Sequence, residues 1–165
     1  MIKSLLLVSF LIATTSCAMA QYGPGIGIYP TGTETGLGFR SGKDTRLALD
    51  LRITRANMFS QPGTSTFVTE CNLIYRAVRL EKVRFHLGIG YKADWNLNSD
   101  ADKHGVNLPI GVEAFPFAFQ NAGLFFEASP FGIYDANDNF HYGIRTVAGF
   151  VFYFPKKSAE KPITQ

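Results

Sequence analysis

Two histidines, His86 and His141, fall on the polar sides of alternating stretches and are the first residues in this chain with metal-binding chemistry to offer. Each stands alone, with no Cys beside it and none of the short spacings by which a metal site gathers its ligands, so hydrogen bonding is the expected role. The segment Asp100-Ala101-Asp102-Lys103-His104-Gly105 has the opening of a calcium loop, but Gly111 stands where the bidentate acidic ligand would be required. By type, Ser129, Glu127 and His141 could supply a nucleophile, a carboxylate and a base, yet no motif brings the three together. The glycines at 23, 25 and 27 and at 36 and 38 open no helix and therefore make no dinucleotide fingerprint. No cofactor or metal is expected from these residues.

The more informative set is a group of charges spaced by even numbers along alternating segments: Arg46, Asp50, Arg52, Glu70, Arg76, Arg84, Glu113, Glu127 and Arg145. The two signs nearly balance. Charges removed from water must be compensated, and this set can compensate itself. The expectation is an interior network of ion pairs.

The segments that carry these charges alternate with a period of two. In Arg46-Leu47-Ala48-Leu49-Asp50-Leu51-Arg52-Ile53 every odd position is a large aliphatic residue, and the same pattern returns from Val83 to Lys92. A third run sets Val106, Leu108, Ile110, Val112 and Ala114 against Asn107, Gly111 and Glu113. The last sets Phe140, Tyr142, Ile144, Phe150, Phe152 and Phe154 against His141, Gly143, Arg145, Gly149 and Tyr153. Less regular alternation covers Phe67 to Ala77 and Leu124 to Ala128, and two glycine-rich pieces, Gly25 to Tyr29 and Gly36 to Arg40, complete eight expected strands. Pro109 cannot donate to a ladder, which predicts a bulge there.

Short connections at Ser41 to Asp44, Leu80 to Lys82 and Gln120 to Ala122 alternate with longer polar ones such as Ser60 to Gly63, Asn96 to His104 and Asp135 to Asn139. An up-and-down barrel has this alternation, with tight turns at one rim and loops at the other, and bacterial single-chain barrels have an even number of strands. The sequence therefore predicts an all-β, eight-stranded antiparallel up-and-down barrel. Its apolar faces are too bulky to fit inside eight strands, so they are expected to face lipid, with the charges inside. Rings at both ends of the last strand fit the aromatic girdles of such a barrel.

Ahead of the strands lies a secretory leader: Lys3, an apolar run from Leu5 to Ala13, and the small-x-small site Ala18-Met19-Ala20. Cleavage after Ala20 divides the chain into a signal peptide over 1–20, a barrel domain over 21–154 and a polar tail over 155–165. Cys17 offers a lipidation site as a rival, although Thr14 occupies the position where a lipoprotein leader prefers Leu. With Cys17 in the leader, Cys71 is left alone and no disulfide framework is expected. The net charge of +3, lowered by one when Lys3 leaves, is too small to suggest a nucleic-acid partner.

Over residues 22 to 154 the chain resembles the small eight-stranded outer-membrane barrels of the OmpA/OmpX type and the outer-membrane β-barrel domain family. The closing segment Gly149-Phe150-Val151-Phe152-Tyr153-Phe154 looks like the aromatic-ended signal read by the barrel-assembly machinery, with Phe150, Phe152 and Phe154 as its rings. Here Pro155 to Gln165 follow the final aromatic, whereas many members end on it. The resemblance implies an outer-membrane location in a Gram-negative-type bacterium, lipid and the assembly machinery as partners, and a monomeric, non-enzymatic role that is structural, adhesive or lipid-interacting. A soluble periplasmic or secreted barrel holding a small apolar ligand, and a barrel enzyme that modifies lipid A, are the alternatives.

Overall fold

Alternating side chains favour strands because successive Cβ atoms point to opposite faces, and a closed sheet lets one face be wholly internal. The computed structural model describes residues 22–31, 34–56, 66–96 and 102–155. Ala18, Ala20 and Cys17 of the leader, the loop Ser60–Gly63 and the tail after residue 155 lie outside the described residues. Nine strands follow in order: β1 Tyr22–Ile28, β2 Glu34–Arg40, β3 Leu47–Ala56, β4 Thr66–Arg79, β5 Val83–Asn96, β6 Lys103–Asn107, β7 Ile110–Ala114, β8 Ala122–Asp135 and β9 Phe140–Pro155. Among the described residues there is no helix.

All pairings are antiparallel, and β1 pairs with β9 through Gly25↔Tyr153 and Ile28↔Phe150, which closes the sheet into a ring. The ring has eight staves. β6 and β7 together form one of them, since both run between β5 and β8, with β6 at one end and β7 at the other. The expected eight-stranded up-and-down barrel is thus the fold. The ends of β1, β3, β5 and β8 and the starts of β2, β4, β6 and β9 lie at one rim, the last pair joined by residues 136–139. Both ends of the sheet and the connections 41–46, 80–82 and 115–121 lie at the other.

Pro109 predicts a bulge, and the structure corrects that expectation. Gly90 pairs with Asn107 and Leu87 with Ile110, so the register crosses the break without a shift. On the other side, Asn107↔Phe131 and Ile110↔Ala128 keep register as well. The interruption has two causes. Pro109 faces β5, where its carbonyl accepts from the Gly88 N–H at 2.8 Å but it has no N–H to return. Pro130 faces the adjacent Leu108, and there too the carbonyl accepts, at 2.9 Å, while the ring nitrogen cannot donate. Two neighbouring rungs each lose one bond, and the stave is divided without an inserted residue. The true register shifts lie between Tyr22 and Gly25 and between Arg76 and Val78.

Two expected boundaries also move. β8 continues through Pro130 to Asp135, well beyond Ala128, because Pro130 places its missing donor toward the gap. The tight turn expected at Gln120 to Ala122 is a longer connection over residues 115–121, whose Phe115 turns into the barrel and is buried.

Large apolar side chains stand exposed on the outer face of every strand, among them Ile26, Leu37, Ile53, Leu73, Ile89, Val106, Ile110, Phe126 and Ile144. Inside, a small apolar cluster of Tyr29, Phe115, Phe125, Val147, Val151 and Tyr153 accompanies a much larger polar population.

Candidate functional site: the charged barrel interior

β2 ends on Arg40, whose register partner in β3 is Asp50, so a guanidinium and a carboxylate start side by side on the inner face. Arg40 Nε donates to Asp50 Oδ2 at 2.8 Å. Arg52, two residues along β3 and therefore on the same face, donates through Nε to Oδ1 at 3.1 Å and through Nη2 to Oδ2 at 2.9 Å. From across the lumen, Glu127 of β8 accepts from Arg40 Nη2 at 2.9 Å and from Arg52 Nη2 at 2.8 and 2.6 Å. The same carboxylate lies 3.0 Å from His86 Nε2 of β5. One acid therefore ties three staves to β8.

The guanidinium faces that do not bond carboxylates lie on rings. Arg52 sits 4.6 Å from the centroid of Tyr29 and Arg40 4.9 Å from that of Phe125, and the two rings meet at 4.9 Å. Arginine can do this because its planar, weakly hydrated cation stacks while its edge donates. Space for the Tyr29 ring comes from Gly27 and Gly38, where an added Cβ would stand 2.8 and 2.5 Å from Tyr29 Cε2.

Toward the tight-turn rim, Tyr153 donates its hydroxyl to Glu113 Oε1 at 2.6 Å. Arg76 Nε approaches the other oxygen of Glu113 at 3.7 Å. Arg76 also donates to the carbonyls of Gly42 and Thr45 at 3.0 and 2.7 Å, and Arg84 bonds the Lys43 carbonyl and Asp44 Oδ1, the latter at 3.0 Å. These contacts pull the turn after β2 over the barrel end. Lys43 goes in with it, donating to the Gln120 carbonyl and lying 4.4 Å from the Phe115 centroid. Burial, and then the neighbouring Arg84 charge, push the Lys43 ammonium below the usual lysine value. Arg46, expected in the interior network, is exposed instead: it belongs to the turn 41–46 that Arg76 holds through the Gly42 and Thr45 carbonyls, so strand parity does not set its direction.

Toward the loop rim, Arg145 bridges Glu34 at 2.8 Å and Glu70, which also lies 3.7 Å from Arg52. Lys92 pairs with Asp94. On β5, Gly90 is the register partner of both Asn72 and Asn107, and the Asn107 amide donates across it to Asn72 Oδ1 at 2.9 Å. A Cβ at Gly90 would stand 1.8 Å from that oxygen.

The structure gathers Asp50, Arg52, Glu70, Glu113, Glu127, Arg76, Arg84 and Arg145 at or inside the lumen. It adds Arg40, Lys43, Lys92, Tyr29 and Tyr153 and the Asn72–Asn107 bridge, which the sequence reading did not include. Arg40 was within reach of parity, since it alternates with Leu37 and Phe39. Tyr29 was within reach as well, since it alternates with the outward Ile26 and Ile28, whereas Lys43 lies in a turn, where alternation carries no information. The catalytic combination does not assemble. Glu127 is committed to His86 and two arginines, while His141 is exposed at the loop rim, 3.1 Å from Asp135 Oδ2. Ser129 is buried on the same face of β8 as Glu127, but its hydroxyl makes no hydrogen bond among the described residues. Among the described residues no three His, Cys, Asp or Glu side chains are placed to hold a metal ion. Asp100 of the calcium-loop segment lies outside them.

The arrangement can brace a barrel. Bonds between β2 and β8, β3 and β8, β5 and β8, β4 and β9, and β7 and β9 cross the lumen rather than following the ladder. Removing one member of such a set leaves a buried charge uncompensated, the costly case.

Fold and interior together define a closed eight-stave antiparallel β-barrel with ionic struts inside and apolar side chains outside. Among solved structures, the chain is similar to the N-terminal β-barrel domain of Pseudomonas aeruginosa OprF, with a TM-score of 0.56 and 18% identity over 82% of this chain and 100% of that domain. At that identity the likeness is one of fold. No protein-family model matches the chain. No curated protein matches it either.

Proposed function

We propose that this chain is a non-enzymatic β-barrel of the outer membrane of a Gram-negative-type bacterium, with a structural, adhesive or lipid-interacting role. One observation carries the reading: exposed large aliphatic and aromatic residues cover the outer face of all nine strands, while buried arginines and carboxylates point into the lumen. In water this surface would far exceed the few hundred Å² of contiguous apolar patch that a soluble monomer tolerates. In a bilayer it is the required surface, and the closed ring leaves no edge unpaired. The fold likeness to the OprF barrel domain supports the same reading.

In this reading residues 1–20 direct export, with cleavage after Ala20, and the apolar rings at the end of β9 present the signal to the barrel-assembly machinery. Phe152 and Phe154 are exposed there, and Phe150 packs edge-on against Phe117 at 6.1 Å. The closed ring supports a monomer. Membrane fractionation followed by gel electrophoresis of boiled and unboiled samples tests the proposal. Recovery with outer membranes and a heat-dependent change in mobility are expected; a soluble protein without a shift overturns it in favour of a soluble barrel.

A further inference from the structure

On the outer face, over the glycines of β2 and the adjoining β3, lies an open, shallow groove of about 630 Å³ lined by Ile26, Leu37, Phe39, Leu51, Ile53 and Phe67. Its end nearer the loop rim is polar, formed by Thr35 and Arg55. Arg55 follows Leu51 and Ile53 on the outward parity of β3 and is exposed, whereas Arg40, Arg52, Arg84 and Arg145 turn to the lumen. Its backbone stays in the ladder with Thr35 and Phe67, while among the described residues its guanidinium has no hydrogen-bond or ion-pair partner. An arginine on the lipid-facing side of a barrel is tolerated near the interface, where an anionic headgroup can answer its charge.

The level of Arg55 is marked by its neighbours. Its register partner in β4 is Phe67, whose own partner in β5 is Trp95, and the Trp95 indole donates to Thr69 Oγ1 at 2.8 Å. An indole with one polar anchor and an exposed ring is the side chain that settles at the border between acyl chains and headgroups. Arg55 thus stands at headgroup height, above a groove that descends along β3 by four residues to Leu51, roughly 13 Å at strand rise.

From this juxtaposition we infer that the groove between β2 and β3 binds a phosphate-bearing membrane lipid. The Arg55 guanidinium holds the phosphate, assisted by the Thr35 hydroxyl, and an acyl chain lies along Leu37, Phe39, Leu51 and Ile53. A guanidinium fork suits two phosphate oxygens, and an apolar channel directly beneath it suits the attached chain rather than a free ion. The inference rests on the membrane reading above.

The test uses the refolded barrel in detergent and native mass spectrometry with three probes: phosphatidylglycerol, a diacylglycerol with the same chains, and glycerol phosphate. Wild type is expected to retain phosphatidylglycerol over diacylglycerol by about fivefold, the effect of one arginine at an anionic surface. Arg55→Gln should abolish that preference and Leu37→Trp, which fills the groove, should lower retention of the lipid with Arg55 intact. Arg79→Gln, at the opposite rim, should change nothing. Undiminished preference in Arg55→Gln, or equal competition by glycerol phosphate, overturns the lipid site while the heat shift of a membrane barrel persists. A chain that stays soluble without detergent and shows no heat shift overturns the membrane reading itself.

Discussion

At the residue scale the interior is most sensitive where one group serves several partners. Glu127 answers two arginines and His86, so Glu127→Leu strands two buried guanidinium groups. The expected loss is about 3–5 kcal/mol of unfolding free energy, measured by urea titration of the folded barrel in lipid vesicles; a change below 1 kcal/mol would mean that the struts carry no net load. Gly90→Ala tests a close approach, because its Cβ would displace the Asn72 amide and break the bridge to Asn107. A cost of about 1–3 kcal/mol is expected for the polar groups left unpaired, and the double variant with Asn72→Ala should lose less than the sum. At Lys43 the folded state disfavours the charged form, so the unfolded chain binds more protons. Stability relative to Lys43→Met should therefore rise as pH climbs from the lowered folded value toward the usual 10.5, and the check is the pH dependence of that difference.

At the scale of elements, the divided stave shows how two prolines can coexist with an intact barrel. Alternation from Val106 to Ala114 already placed these residues in one strand, and Pro109 already signalled trouble within it. The form of the trouble was not legible, since it depends on Pro130 lying opposite Leu108, a pairing that arises only when the sheet is assembled. Pro109→Ala should supply an N–H that bonds the Gly88 carbonyl, and Pro130→Ala one that bonds Leu108. Together they should join β6 and β7 into one strand, seen as slowly exchanging amides at 109 and 130. Fast exchange at both positions would show that the break has another cause.

At the scale of the molecule the decisive property is which face of the sheet is outside. Ile110 is exposed midway along its stave. In a bilayer Ile110→Arg should cost about 2–4 kcal/mol, whereas on a solvated surface it would be nearly neutral. Equilibrium unfolding in vesicles distinguishes the two, and a neutral result there argues against a lipid-facing exterior.

The alternation of tight turns and loops expected from the sequence is not kept, since the connection 115–121 is longer than 136–139, but the primary structure alone determined the strands, their number as staves and the division into an apolar and a charged face. All of these are local, because a period of two is written in neighbouring residues. It could not decide which charges meet. Arg40 to Glu127 spans 87 positions, and Arg145 to Glu34 spans 111; those distances close only when β1 joins β9. Closure also drew Lys43 inward and left Arg46 outside, since residues in a turn follow the shape of the rim rather than the parity of a strand.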